Sequence, residues 1–433
     1  MVESKSSEPL PRPCEKCRIQ EATLDSRSHP VCRDCFIKFI GTKCIKQIGL
    51  LGKETRPPAP SSGGRPTGTR HYLLGLSLGV SSTVLLHLLN ENVEFQLAKG
   101  RNAPFDLTVV HIDTTTTITT TLPTQTQQPT STTPSPSLCH VAEKTLEAYR
   151  ARYPRFTFIT LPLSSALTSS SASAFTSTTD DRRQPDLPYL FETSSSSTTT
   201  TAASREDVTR HLTRRALQSQ ARARGCQALL LGHSTTALAE LTLAEAAKGR
   251  GFALPWVVGD GPAPPASIGL SLGGEGGEPG DGDGGGEEDE HYENKDKDRL
   301  LVYHPLRDAL RKELVIYAGL VEPPLTELIQ ADKQDDGLVV SHKDLSIEEV
   351  MTRYFADVEE SYPSVVANVT RTTGKLVRAG EEGAEICGLC GLPLDEDGDE
   401  RWRGELGIQK RSGTATATWL GRLCYGCERS TAG

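Results

Sequence analysis

Long apolar runs are the first feature that this 433-residue sequence lacks. No run approaches the ~20 apolar residues that a membrane-spanning helix needs. Residues 1–13 contain no apolar core of the kind found in secretory signal peptides. Apolar and aromatic residues are scarce as well, at 36% and 5% of the chain, so the folded part should be smaller than the length suggests. The sequence therefore predicts two to three domains, no membrane span and a cytoplasmic location.

Acidic charge is concentrated in one segment. Residues 271–299 hold 11 acidic and 3 basic residues, a net charge of −8, whereas the whole chain carries −9. Residues 1–70 hold 13 basic and 7 acidic residues, a net charge of +6. This positively charged N-terminal region favours a negatively charged partner over a positively charged one.

Polar low-complexity tracts interrupt the chain wherever apolar patterning stops. Such tracts cannot bury enough apolar area to offset the entropy lost on ordering, so they are predicted to be disordered. Three of them are predicted to be inserts in a central domain, at residues 114–137, 164–204 and 259–299. Residues 1–13 are also predicted to be disordered, and the Pro/Gly-rich residues 54–70 to be a linker.

Eight of the eleven cysteines lie in four C-x-x-C pairs. Without a secretory signal, such pairs favour metal ligation over the alternative of redox or disulfide pairs. Two pairs lie near each end of the chain, and four thiolates match a tetrahedral zinc site. The predicted zinc ligands are Cys14, Cys17, Cys32 and Cys35 in one module, and Cys387, Cys390, Cys424 and Cys427 in the other.

Apolar segments of strand and helix type alternate through the centre of the chain, which predicts an α/β fold with a parallel sheet covered on both faces. Strands are predicted at residues 72–76, 105–113, 155–163, 228–233 and 300–304. Helices are predicted after the first strand, over 139–153, 205–224 and 305–320, and within 345–372. The predicted units are an N-terminal zinc module (14–53), the α/β domain (71–322), a helical segment (323–380) and a C-terminal zinc-ribbon-like module (381–433).

A small-residue turn, Ser77–Ser82, follows the first predicted strand and precedes a helix. A loop at a helix start directs backbone N–H groups and the positive end of the helix dipole outward, which suits a phosphate. Ligands of parallel sheets bind beyond the carboxyl ends of the strands. The turn is therefore a predicted phosphate site.

Two motifs carry a resemblance to a known family. Ser77, Gly79 and Ser82 fit the SGGxDS loop of the PP-loop ATP pyrophosphatases, and Leu231–Glu240 resembles the LGHNADDxAE segment of PP-loop tRNA-thiolating enzymes. The resemblance implies an adenine nucleotide α-hydrolase-like fold. It also implies a nucleotide-binding set, which here comprises Ser77, Gly79, Ser81, Ser82, Gly232 and His233.

The sequence departs from these motifs at positions that phosphate binding in the family depends on. Leu78 replaces a glycine and is expected to place a branched side chain where the phosphates approach. Ser81 replaces an aspartate, and Ser234–Ala237 replace Asn-Ala-Asp-Asp. We interpret the loop as a remnant with ATP binding weakened or lost; the alternative is that it still holds the pyrophosphate of ATP.

Sulfur transfer to a uridine needs a thiolate or persulfide nucleophile. The unpaired cysteines are Cys44, Cys139 and Cys226. We interpret Cys44 and Cys226 as buried small hydrophobes, because both lie among apolar residues. No catalytic residue is therefore predicted in this chain.

Five arginines cluster around one predicted helix. They are candidates for contact with tRNA, since RNA is held largely through its phosphate backbone and shape. A solvated helix face is an equally good interpretation of the same pattern. The residues are Arg210, Arg214, Arg215, Arg222 and Arg224.

Taken together, the cysteine knuckles at both ends, the altered phosphate loop and Gly249–Trp256 resemble the cytoplasmic tRNA 2-thiolation protein 2 family. The resemblance implies a heterodimer with a catalytically intact PP-loop paralogue. Such a pair would move sulfur from a thiocarboxylated ubiquitin-related modifier onto the wobble uridine of the tRNAs for Lys, Glu and Gln. A link to protein conjugation by that modifier would come with the pathway.

Two other functions compete with the subunit hypothesis. The chain could itself be an ATP-dependent tRNA sulfurtransferase, which activity of the chain alone would reveal. It could also be a zinc-finger adaptor in protein conjugation. A cross-brace ligase domain needs a second set of ligands interleaved with Cys14–Cys35, and the local sequence offers only His29 and Cys44.

Overall fold

The computed structural model describes residues 12–27, 29–56, 69–114, 137–163, 202–264, 299–330, 345–378, 385–394 and 422–432. Its strands are β1 (Leu24–Ser26), β2 (His29–Val31), β3 (His71–Gly75), β4 (Asp106–Asp113), β5 (Thr157–Pro162), β6 (Ala228–Leu231), β7 (Gly261–Pro262) and β8 (Leu301–Tyr303). Its helices are α1 (Arg33–Glu54), α2 (Val80–Ala98), α3 (Ser137–Arg152), α4 (Ala202–Ala223), α5 (Thr235–Ala247), α6 (Leu254–Val258), α7 (Arg311–Leu320), α8 (Ile347–Ser361), α9 (Pro363–Thr373) and α10 (Tyr425–Ala432).

The centre of the molecule is a sheet with strand order β5-β4-β3-β6-β8-β7. The first five of these strands are parallel, and β7 is antiparallel to β8. In the register, Leu74 lies opposite Val109 on one side and Leu230 on the other. Helices follow the parallel strands and cover both faces, so the predicted α/β class is confirmed.

Alternate residues of β3 point to opposite faces of the sheet, as the strand pleat requires. Tyr72 and Leu74 belong to a core shared with α1, α2, α3 and α7. Leu73 belongs to a second core shared with α4 and α6. The N-terminal cysteine module contributes to the first core and the C-terminal module to the second. The two modules therefore pack on opposite faces of one sheet.

The N-terminal module consists of the β1–β2 hairpin and α1. Helix α1 buries Phe36, Ile40, Cys44, Ile48 and Leu51, which recur at helical spacing. Charged contacts tie the module to the segment around α7: Arg27 Nε donates to Glu313 Oε1 at 2.7 Å, and Lys43 Nζ donates to the Asp308 carbonyl at 2.7 Å. Burial lowers the pKa of Lys43 to about 8.

Some predicted boundaries are wrong, for local reasons. The helix predicted over 305–320 begins at Arg311, because Pro305–Ala309 form turns and Glu313 accepts a hydrogen bond from the Leu310 N–H at 2.9 Å. The segment 345–372 forms two helices, since Pro363 cannot continue α8 and instead starts α9.

The predicted inserts are also shorter than expected within the described residues. Residues 202–204 belong to α4, and Gly261–Pro262 form an edge strand. Residues 115–136, 164–201 and 265–298 of the predicted inserts, residues 1–11 and residues 57–68 of the linker lie outside the described residues. None of the helices in the described part of the chain is long and apolar enough to cross a bilayer.

Candidate functional site

The predicted phosphate loop connects β3 to α2 at the carboxyl edge of the sheet. Gly79 is the N-cap of α2, and no side chain caps the helix. The two motif serines hold the loop in shape: Ser77 Oγ lies 3.0 Å from Ser82 Oγ, and the Ser77 N–H donates to Ser82 Oγ at 3.2 Å. The first-turn amides of α2 have no acceptor within the helix, so they are suited to an anion.

Leu78 does not block this loop. Its side chain is 1% exposed and packs in the core shared with α1 and α2, and it is not among the residues that line the adjacent cavity. Its backbone keeps the left-handed conformation that glycine favours, with φ of 64°. That conformation costs ~1–2 kcal/mol for an L-residue, and burying a leucine side chain offsets it with about 1.5–3 kcal/mol. The expectation that Leu78 occupies the phosphate position is wrong.

Gly232 brings a second loop against the phosphate loop. A Cβ at this position would lie 2.7 Å from the Ser82 Cα and 2.9 Å from the Ser82 N. These contacts are with backbone, which cannot move aside as a side chain could. Only glycine therefore lets the β6–α5 loop approach α2, and the two predicted motif segments meet here.

Replacing Gly232 with alanine is expected to destabilise the chain by about 1–3 kcal/mol, because the added methyl overpacks rigid backbone. Urea denaturation of purified protein measures the change. Gly49→Ala is the matched control: it lies in α1 with nothing within 4 Å of its Cβ position. That control should be stabilised by roughly 0.5–1 kcal/mol. Equal stability of Gly232→Ala and the parent would contradict the packing argument.

A cavity of about 510 Å³ opens beside the two loops. Its floor includes the first turn of α2, and its walls come from α4, α5 and α7. The charged and imidazole groups that line it are Arg210, His211, Arg214, Arg311, His233, His111 and Glu245. Arg210 pairs with Glu245 and Arg311 with Glu240, so Arg214 and the first-turn amides of α2 are the groups that favour a negatively charged ligand. No cysteine is among the described residues that line this cavity.

The five predicted tRNA-binding arginines lie on α4 or directly after it, but they have different surroundings. Arg210 pairs with Asp207 and Glu245, and Arg214 donates to the Trp256 carbonyl. Arg215 donates to the Gly388 carbonyl, Arg222 to the Pro264 carbonyl and Arg224 to Gln220 Oε1. Burial lowers the pKa of Arg214 to about 10. Arg224 is the most exposed member of the set.

His233 belongs to a buried pair of imidazoles. Its ring centroid lies 5.2 Å from that of His304, and its Nδ1 has no hydrogen-bond partner among the described residues. His304 Nδ1 lies 3.0 Å from Asp260 Oδ1, which also pairs with Arg307. Burial, followed by the charge of neighbouring groups, lowers the pKa of His233 well below its ordinary value. His233 therefore lines the cavity as a neutral ring.

A buried charge cluster lies behind the arginine wall of the cavity. Arg250 is 3% exposed, and it donates to Asp207 Oδ2 at 2.5 Å and lies 3.4 Å from Glu245 Oε2. Arg210 and Lys248 each lie 2.8 Å from Asp207 Oδ1. Burial alone would raise the pKa of Asp207, but hydrogen bonds from His211 and Arg250 hold it well below its usual range. The carboxylates are thus ionised and paired with cations.

The eight paired cysteines form two compact clusters, each with all sulfur atoms within 4.8 Å of one another. Cys17 Sγ lies 3.8 Å from Cys32 Sγ, and Cys390 Sγ lies 3.9 Å from Cys424 Sγ. Four thiolates at about 2.3 Å from one zinc ion stand about 3.8 Å apart at tetrahedral angles. In a 4Fe–4S cluster, by contrast, each thiolate binds a different iron, so the four sulfurs do not share one ion. The donor sets therefore fit one tetrahedral ion each.

Backbone amides support the thiolate form of Cys14 in the N-terminal cluster. Burial would raise the pKa of Cys14, but N–H groups of Cys17, Cys32 and Lys16 lower it to about 6. Cys44 and Cys226 lie outside both clusters and are buried, as predicted. The side chain of Cys139 lies outside the described residues.

Several residues of the site could not be found from sequence. Asp207 and Glu245 sit on different helices, in stretches without a motif. Arg250 lies in the Gly249–Trp256 segment, which contributes to the family resemblance but has no role predicted from the sequence. Only the fold brings these charges together.

Comparison with known proteins adds an independent line of evidence. A family model described as cytoplasmic tRNA 2-thiolation protein 2 matches residues 346–429. A protein of that name from Phaeosphaeria nodorum is 34% identical over 429 residues, covering 96% of this chain and 94% of the relative. Another from Pyrenophora tritici-repentis is 32% identical over 424 residues, with 96% and 94% covered.

Among solved structures, a U34-tRNA thiolase from Methanococcus maripaludis with its 4Fe–4S cluster aligns with a TM-score of 0.48 and 14% identity. The alignment covers 87% of this chain and 90% of the thiolase. The sequence relationship extends over nearly the whole length of both chains. The chain belongs to the cytoplasmic tRNA 2-thiolation protein 2 family.

Proposed function

We propose that this chain is the non-catalytic subunit of a heterodimeric complex that thiolates C2 of the wobble uridine in the tRNAs for Lys, Glu and Gln. The catalytic subunit is a PP-loop paralogue, and the sulfur comes from a thiocarboxylated ubiquitin-related modifier. The complex works in the cytoplasm, and this subunit holds zinc at both cysteine clusters. Its roles are to bind tRNA and to scaffold the paralogue. Protein conjugation by the same modifier draws on the same sulfur source.

The observation that carries this proposal is the lining of the cavity. Helix amides and arginines suit a phosphate, but the described lining offers no thiol to carry sulfur. The first turn of α2 also contains no acidic residue that could help hold a metal–phosphate unit. The arrangement supports a pocket that has kept its shape and lost its reactive groups.

The nucleotide-binding remnant comprises Ser77, Gly79, Ser81, Ser82, Gly232 and His233, all of which line the cavity. When bound at the clusters, zinc supplies structural cross-links and no chemistry on the RNA. The chain's own contribution at the cavity is to present amides and guanidinium groups to an anion. ATP binding there is weak, because no carboxylate in the first turn of α2 accompanies the phosphates.

The proposed tRNA surface includes the N-terminal module. Residues 12–56 hold ten basic and five acidic residues, a net charge of +5. Helix α1 exposes Lys38, Lys46 and Lys53. Arg224 is the exposed member of the α4 set and is therefore its best candidate for contact with tRNA. Such a surface would read phosphates and shape, not bases.

A reconstitution tests the subunit assignment. The purified chain, the purified paralogue and their mixture are each given tRNA for Lys, ATP and the thiocarboxylated modifier, and 2-thiouridine is measured by mass spectrometry. We expect product from the mixture at least tenfold above that from either protein alone. Turnover by this chain alone would establish it as a sulfurtransferase in its own right and refute the proposal.

A further inference from the structure

Helix α4 contacts both the cavity and the C-terminal cysteine module. Its residues Arg210, His211 and Arg214 line the cavity. On neighbouring positions of the same helix, Asp207 and Arg215 contact the C-terminal cysteine module. Because α4 contacts both, a change in the position of the module is expected to move the α4 side chains that face the cavity.

The first contact reaches the turn between two of the cysteines. The Arg215 guanidinium donates to the carbonyl of Gly388 and, at 3.2 Å, to that of Leu389. Gly391 packs on the same side chain, since a Cβ there would lie 3.5 Å from the Arg215 Cδ. The carbonyls belong to the knuckle Cys387–Cys390, whose conformation depends on both sulfurs converging on one ion.

The second contact reaches the last helix. Ser430 Oγ of α10 donates to Asp207 Oδ2 at 2.6 Å. Arg250 joins them: its Nη2 lies 3.3 Å from Ser430 Oγ and 3.9 Å from Cys427 Sγ. Arg250 also lies beside Glu245, which lines the cavity. The Arg250 side chain therefore links Cys427 of the cluster to Glu245 of the cavity lining.

The charge of the metal-bound cluster makes it a suitable partner for two arginines. Four thiolates around a divalent ion carry a net charge of −2, which Arg215 and Arg250 face from the α4 side. Loss of the ion removes the point on which the four sulfurs converge. The knuckle carbonyls then lose their fixed positions, so Arg215 loses the partners that hold its guanidinium group.

We propose that the C-terminal module controls the mobility of α4 beside the cavity. An ion at Cys387, Cys390, Cys424 and Cys427 holds α4 in place, and loss of the ion makes α4 more mobile. We call this arrangement the clamp. The clamp rests on the proposed function only in taking a metal ion to occupy the cluster. The N-terminal cluster packs on the opposite face of the sheet and has no such contact with α4 among the described residues.

Hydrogen–deuterium exchange of the full-length chain tests the clamp, with metal content measured on the same samples. Cys390→Ser is expected to lose one metal equivalent and to raise exchange of α4 amides roughly tenfold or more. Arg215→Met keeps the side-chain stem over Gly391, so it should retain both metal equivalents. Because it removes charge-assisted hydrogen bonds, it should still raise α4 exchange about tenfold.

The matched control is Cys14→Ser, which should lose one metal equivalent and raise exchange in α1 but leave α4 as in the parent. Two outcomes would overturn the clamp. One is a Cys390→Ser chain that lacks the ion yet exchanges at α4 like the parent. The other is an equal rise at α4 in Cys14→Ser, which would indicate general loosening. Neither readout depends on thiolation activity, so failure of the clamp and failure of the proposed function are distinguishable.

Discussion

Replacing Cys32 and Cys35 together by serine is expected to halve the metal content of the purified chain, from two equivalents to one. Two thiolates cannot hold zinc in place of four, and the free energy of binding at such sites is ~10–16 kcal/mol of folding free energy. Phe36 and Ile40 of α1 lie directly after this knuckle and are buried in the sheet core. We therefore expect the module to unfold and to become sensitive to limited proteolysis.

Cys44→Ala is the matched control for that experiment. Cys44 lies on the same helix and is 1% exposed, but its sulfur is not part of the four-cysteine cluster. It should keep both metal equivalents and lose little stability, since alanine and cysteine differ by one small group. Retention of two equivalents by the Cys32→Ser, Cys35→Ser chain would refute the assignment of these ligands.

Arg250→Met is expected to lower the free energy of unfolding by about 3–5 kcal/mol. The methionine keeps much of the side-chain volume but leaves Asp207 and Glu245 without their most buried partner, and an uncompensated buried charge costs this much. Asp207 is 1% exposed and Glu245 0%, so water cannot replace the lost cation without opening the structure. Denaturant midpoints at neutral pH, with unchanged slopes, would measure the loss.

Two comparisons make that measurement specific. Glu322→Gln removes the charge of an exposed pair with Arg33, whose side chains are 77% and 42% exposed, and should cost no more than about 1 kcal/mol. Arg250→Met should also cost less in an Asp207→Asn background, because one of the carboxylates it neutralises is already gone. A loss below about 1 kcal/mol for Arg250→Met alone would show that the cluster is not held by this side chain.

The sequence was informative where a local pattern has one physical meaning. Alternating strands and helices predicted the parallel sheet, and the C-x-x-C spacing predicted which cysteines converge. The burial of Cys44 and Cys226 followed from their apolar neighbours. The order Ser77–Ser82 and then Gly232 predicted two loops at one sheet edge, and the model places them in backbone contact.

The sequence failed where the answer depends on packing between distant elements. Leu78 is apolar in a glycine position, and nothing local tells whether its side chain enters the cavity or the core. Four of the five α4 arginines looked like a surface patch but donate to carbonyls or carboxylates supplied by other segments. Glu245 lies in a mostly apolar helix, and one of its cations, Arg210, comes from α4, 35 positions earlier.

The placement of the two cysteine modules on opposite faces has a consequence for how the chain is made. Ser430 contacts Asp207 across 223 positions, so α4 gains this contact only after a segment made much later has left the ribosome. We therefore expect nascent chains to pass through a state in which α4 lacks its contacts with the C-terminal module, and premature termination to leave it there.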